Sequence, residues 1–172
     1  MRYAALAMMT AGWAAIAAAG PADRLPLEAY RDPIDRQIAE TGKGVSGRPL
    51  PCAYEEIHNG VTVIVRQPTD ICVKMSPQRR FRGLWRHPME GSRFCPEPAT
   101  SCSGDSPGEK IWLSGTPGTG GRGELYRVDF IGRKTMFKGP YGDGFSDSEI
   151  VMDRPIRIEL IEPAPGSPSD PK

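Results

Sequence analysis

Histidine is nearly absent, with two in 172 residues. A zinc centre would have to be completed by carboxylates, and His87-Pro88-Met89-Glu90 is not a helical zinc motif, so no metal site is expected. No surplus of charge exists either: Lys+Arg 22 stand against Asp+Glu 21. Without excess cations to displace the counterions around phosphates, general nucleic-acid binding is excluded. Long runs of good helix formers are missing, because Gly 20 and Pro 18 interrupt the chain, and that excludes a helical bundle. The glycine-rich run Gly115 to Gly123 lacks the Gly-Lys-Ser/Thr of a phosphate cradle and precedes a strand, so a hairpin loop is expected there. No cofactor motif and no internal repeat is present. No apolar run after residue 19 is long enough to cross a membrane.

The N-terminus is where an apolar run does occur. Arg2 is followed by Ala4 to Ala19, and Ala17-Ala18-Ala19 supplies the small residues of a signal-peptidase site. Cleavage is expected at Ala19–Gly20, with Ala22–Asp23 second; the alternative is an uncleaved anchor. The mature chain is expected to be periplasmic or secreted, without stable membrane insertion.

Export gives the four cysteines their meaning. Cys52, Cys72, Cys95 and Cys102 form an even set in an oxidising compartment, and no Cys-x-x-Cys spacing suggests a reactive or metal-binding pair. Of three possible pairings we expect Cys95–Cys102, closing a proline-rich loop, and Cys52–Cys72, crossing a hairpin. Loop-closure entropy sets their contributions at about 2.5 and 3.3 kcal/mol.

Residues 20–50 read as a leader with one short helix and a linker. Asp32-Pro33 starts that helix and Gly42 ends it, with Ile34 and Ile38 on one face. From Cys52 the apolar period changes to two. Asn59-Gly60 makes a tight turn before Val61 to Arg66. Pro68-Thr69-Asp70 then leads into an extended Ile71, Val73 and Met75. Phe81, Gly83 and Trp85 oppose Arg80, Arg82, Leu84 and Arg86. Strands also read at Ile111 to Ser114, at Glu124 to Ile131 with Tyr126, Val128 and Phe130 on one face, and at Ser148 to Ile161 with Ile156, Ile158 and Leu160 inward. Six to seven short strands over 51–162 indicate an all-β domain. A small, partly open barrel of the oligonucleotide/oligosaccharide-binding shape is preferred and a sandwich is the alternative. Pro163 to Lys172 reads as a disordered Pro/Ser tail.

Three stretches bear on chemistry. Cys102-Ser103-Gly104-Asp105-Ser106-Pro107-Gly108 resembles the Cys-x-Gly-Asp-Ser-Gly-Gly segment of chymotrypsin-like serine peptidases, with Pro107 in place of a Gly. The resemblance implies Ser106 as nucleophile, His58 or His87 as base, Asp70 as the orienting acid, and the N–H groups of Gly104 and Ser106 as oxyanion donors. The same residues also suit a turn-rich loop. Asp143, Asp147 and Glu149 supply hard oxygens but lack the ladder of a calcium hand, so a solvated acidic turn is expected. Arg79, Arg80, Arg82 and Arg86 form the one dense basic stretch, a possible ligand patch for an anion or glycan, or else a solvated strand face. The residues together favour a non-enzymatic binding or structural protein of the cell envelope, whose partner is another envelope protein or an anionic ligand. An anion- or glycan-binding module is the alternative, and a serine hydrolase using Ser106 comes third.

Overall fold

The computed structural model describes residues 25–41, 52–87, 92–117, 123–142 and 144–166. The expected signal segment, the expected linker from Gly42 to Pro49, the centre of the glycine-rich loop, Asp143 and the end of the Pro/Ser tail lie outside the described residues. Helix α1 covers Pro33–Thr41, and its start is capped by Asp32, whose Oδ1 accepts from Ile34 N at 2.7 Å. Strands β1 (Ala53–His58) and β2 (Val61–Arg66) form a separate two-stranded hairpin. Its turn residues Asn59 and Gly60 have φ of 53° and 80°, the left-handed region that this dipeptide reaches easily.

The remaining strands close a five-stranded barrel. They are β3 (Arg79–Arg86), β4 (Arg93–Pro96), β5 (Ile111–Ser114), β6 (Leu125–Lys134) and β7 (Ser148–Glu162), in the order β3-β4-β5-β7-β6. All neighbours are antiparallel except β5 and β7, which run parallel. A small all-β barrel is thus the architecture, closed rather than partly open, and the sandwich does not form.

Aromatic alternation fills the interior. Phe81 stacks on Phe130 at 5.5 Å and Trp85 on Tyr126 at 5.2 Å, while Phe94 meets Phe130 edge-on. Ile111, Leu113, Val128, Ile150 and Met152 complete this core. Trp85 Nε1 donates to Ser92 Oγ at 2.9 Å, and Ser92 in turn donates to Leu113 O, so the buried indole N–H is satisfied.

Several expectations change in the folded chain. Thr69–Cys72 is a single helical turn, α2, because Val73 N bonds Thr69 O; Ile71 is exposed, and Val73 and Met75 make only isolated bridges. The Cys52–Cys72 disulfide consequently ties the base of the hairpin to α2 instead of crossing between its strands. Along β7, Ile150 and Met152 are the deeply buried apolar residues. Ile158 stands opposite Val128 and packs against the core, and Leu160 stands opposite Tyr126. Ile156 instead falls in a bulge, between Pro155 opposite Phe130 and Arg157 opposite Asp129. Ile156 and Leu160 are 44% and 49% exposed, and β5 reaches only as far as Val151. In α1, Ile38 is buried and Ile34 is exposed. Residues preceding α1 also join the fold, with Ala29 and Tyr30 buried and Arg31 N bonded to Cys72 O.

Candidate functional site

The outer side of β3 carries Arg80, Arg82 and Arg86, while Arg79 alternates onto the side of Phe81, and their fates differ. Arg80 forms a two-toothed pair with Asp129, through Nε at 2.7 Å and Nη2 at 2.5 Å, and Arg82 Nε reaches the same carboxylate at 3.3 Å. The Arg80 hydrogen bond holds the Asp129 carboxyl below the usual range. Arg86 donates to Cys102 O at 2.7 Å, to Gly123 O at 3.0 Å and to Glu162 at 2.7 Å. Arg79 lies over the Phe81 ring, 4.6 Å from its centre. Register places Arg82 directly opposite Asp129 across β3 and β6, and Arg80, opposite Ile131, reaches the same carboxylate diagonally. Three of the four arginines are therefore committed to internal acceptors.

Between Arg82 and Arg86 the outward residue is Leu84. It packs with Leu125 and the Cys95–Cys102 disulfide in a second, external apolar cluster. The disulfide loop is fastened to β3, with Glu97 N bonded to Arg82 O at 3.0 Å. A groove of about 350 Å³ opens here, lined by Gly83 and Leu84, by Glu97 to Thr100, by Leu125 and Arg127, and by Ile161 and Glu162. Glu162 is neutralised by Arg86. Arg127 and Glu97 are exposed, and neither has an ion-pair partner among the described residues. The groove thus offers apolar contact with one unengaged cation and one unengaged anion.

Ser106, His58, His87 and Asp70 are not brought together. Ser106 Oγ accepts from Ser103 N at 2.8 Å, and Ser106 N is already bonded to Ser103 O, so it is not free for an oxyanion. His58 sits at the hairpin tip with Glu56 at 2.7 Å. His87 follows β3 and sits edge-on to Trp85, and Asp70 pairs with Arg133 at 3.0 Å. Of the acidic-turn residues, Asp147 accepts from Lys110 N at 2.9 Å, while Glu149 is buried against the hydroxyls of Thr69 and Ser114. Asp35 approaches Cys52 and Cys72, but both sulfurs are joined to each other and offer no thiolate to a metal.

One buried cation carries no mark in the sequence. Arg93 opens β4 and is 8% exposed; Nη2 donates to Ser106 O at 3.1 Å, and Nε and Nη1 have no hydrogen-bond partner among the described residues. Burial lowers its pKa, against the opposing pull of Asp147 and Glu109. Arg127 and Glu97 are equally inconspicuous along the chain. Arg127 occupies an ordinary outward position between Tyr126 and Val128, where a strand reading assigns it to solvent. The flanking prolines of Glu97 are the only local sign that its loop is held rigid.

The chain matches no protein-family model, no curated protein and no solved structure. The two disulfides fit an oxidising environment, and no helix among the described residues is long and apolar enough to cross a membrane.

Proposed function

We propose that this protein is a non-enzymatic binding module of the periplasm or the extracellular space, which holds a polypeptide partner in the groove beside the disulfide loop. The observation that carries this reading is the pairing of an apolar lining, Leu84, Leu125, Ala99 and Ile161, with the unengaged charges of Arg127 and Glu97. An extended peptide bearing a carboxylate toward Arg127 and a cation toward Glu97 complements that surface. The committed arginines of β3 supply the frame: Arg86 holds the loop, β6 side and β7 end together, and Arg80 and Arg82 neutralise Asp129. Export is supported by the disulfides and by the signal-like composition of residues 1–19.

The test is selection from a displayed random-peptide library, followed by titration of the chosen peptides. Peptides carrying an acidic residue should bind, and Arg127→Glu should weaken them by at least about tenfold, near 1.4 kcal/mol. Glu97→Lys should weaken those carrying a basic residue. Peptides indifferent to both substitutions would sink the groove, and fluorophosphonate labelling of Ser106 in the folded protein would return the hydrolase reading to first place.

A further inference from the structure

The hairpin of β1 and β2 stands apart from the barrel. The second edge of β2 pairs with no strand among the described residues. Isolated two-stranded hairpins are marginal in water and gain stability from a third strand or a packing partner. Here Ile57, Val61 and Ile64 are 75%, 62% and 58% exposed. The usual protections of a free edge are missing as well. From Val61 to Val65 there is no charge and no proline, and the register with β1 contains no bulge.

The sequence of β2 is nearly the same in either direction: Val61, Thr62, Val63, Ile64, Val65. An isologous contact requires a surface that complements itself under a two-fold axis. Antiparallel pairing of two β2 strands about Val63 places Val61 opposite Val65, Thr62 opposite Ile64, and Val63 opposite its own mate. Every one of these pairs is β-branched on β-branched, a favourable cross-strand combination. Arg66 falls opposite Gly60 of the other copy, so the two arginines lie at opposite ends, about 20 Å apart at the rise of a strand. The exposed stretch of β7 is a poorer match. It would set Arg154, Arg157 and Glu159 beside an uncharged strand, and Pro155 has no N–H to offer. On β1, Glu56 already pairs with His58 and places an acid at that edge.

We propose that two copies of this chain join through their β2 edges, making a continuous four-stranded sheet β1-β2-β2-β1 with its two-fold axis at Val63. Because one edge is used per copy, the assembly closes as a dimer. This surface is separate from the peptide groove, and either can fail without the other.

Sedimentation velocity of the oxidised protein over a dilution series tests it, with three variants. The wild type should dissociate from dimer to monomer on dilution. Val63→Lys should weaken the dimer by at least about tenfold, because two ammonium groups would meet at the axis. A disulfide needs Cβ atoms about 4 Å apart. Val63→Cys should therefore link two copies under mild oxidation, mapped as a peptide joined to its own mate through position 63. Thr62→Cys, whose own mate is displaced by two positions, should link slowly. A monomer at every concentration overturns the proposal. So does a dimer that Val63→Lys leaves intact, a larger open assembly, or equal linking at the two cysteine positions. If Val63→Lys fails to fold, the comparison of the two cysteine variants decides.

Discussion

Thr69 Oγ1 donates to Glu149 Oε2 at 2.6 Å across 80 positions of sequence, and Ser114 Oγ reaches the other oxygen of the same carboxylate at 2.5 Å. Glu149 N also donates to Thr135 Oγ1 and Glu149 O accepts from Thr135 N, so one buried acid joins α2, β5, β7 and the residue after β6. Replacing it with alanine strands two hydroxyls in a site that is 5% exposed. Glu149→Ala should lose about 1–3 kcal/mol of stability in urea unfolding, and Glu149→Gln less, because its amide oxygen still accepts. Equal losses in the two variants would show that shape, not hydrogen bonding, matters there.

Gly83 stands opposite Pro96 on β4, with the β4 backbone close against it. A Cβ at this position would lie 2.2 Å from Cys95 O and 2.9 Å from Pro96 Cα, both backbone atoms. Gly83→Ala should destabilise by at least about 1–3 kcal/mol, the usual range for overpacking, and should lower the melting temperature. Wild-type stability in this variant would mean that the strands can separate without loss.

Arg93 makes one hydrogen bond from a buried guanidinium and has no ion-pair partner among the described residues. A buried cation so poorly matched is a burden to the fold. Arg93→Met, of similar length, should leave stability unchanged or raise it. A clear loss in urea unfolding would show that the guanidinium is better solvated than its contacts indicate.

Tyrosine ionisation sets the alkaline limit. Burial, with the Glu124 hydrogen bond second, pushes Tyr126 up to about 12, and burial pushes Tyr141 up to about 12. Both folded-state values lie above the unfolded value of about 10, so this stability is fully present below pH ~10 and lost as pH rises toward ~12. At the acid end the sign reverses. Asp153 is held down by Arg133, so its contribution is present above about pH 3.9 and lost as pH falls toward its folded-state value. Urea unfolding against pH should show both declines. Tyr126→Phe should flatten the alkaline one and Asp153→Asn the acid one.

The two disulfides have different duties. Removing Cys95–Cys102 as a double serine variant should lose up to about 2.5 kcal/mol, and removing Cys52–Cys72 up to about 3.3 kcal/mol. Only the first forms part of the cluster beside the groove, so only its loss should also weaken peptide binding there. Equal effects on binding would separate the groove from the loop.

Local patterns in the sequence are sufficient for much of this fold. The alternation of Tyr126, Val128 and Phe130, the Asn59-Gly60 turn, the Asp32-Pro33 helix start and both cysteine pairings are short-range or entropic properties, and each is realised as expected, although Cys52–Cys72 joins the hairpin to α2 and does not cross it. Strand β4 is not legible in the sequence, because four residues ending in Pro96 carry no period. The helical turn at Thr69–Cys72 is not legible either, because its apolar residues also fit a period of two.

What the arginines of β3 do is a matter for tertiary structure alone. Their sequence shows a basic run open to an anion. Whether it stays open depends on which residues β6 and β7 bring alongside, and that is a consequence of register. Asp129 lies 49 positions from Arg80, and Glu162 lies 76 from Arg86. No local pattern encodes such distances; only closure of the barrel brings the charges together. The same closure leaves Arg127 and Glu97 unengaged beside the groove, so the residues that the folded surface offers are ones that the chain, read along its length, does not mark.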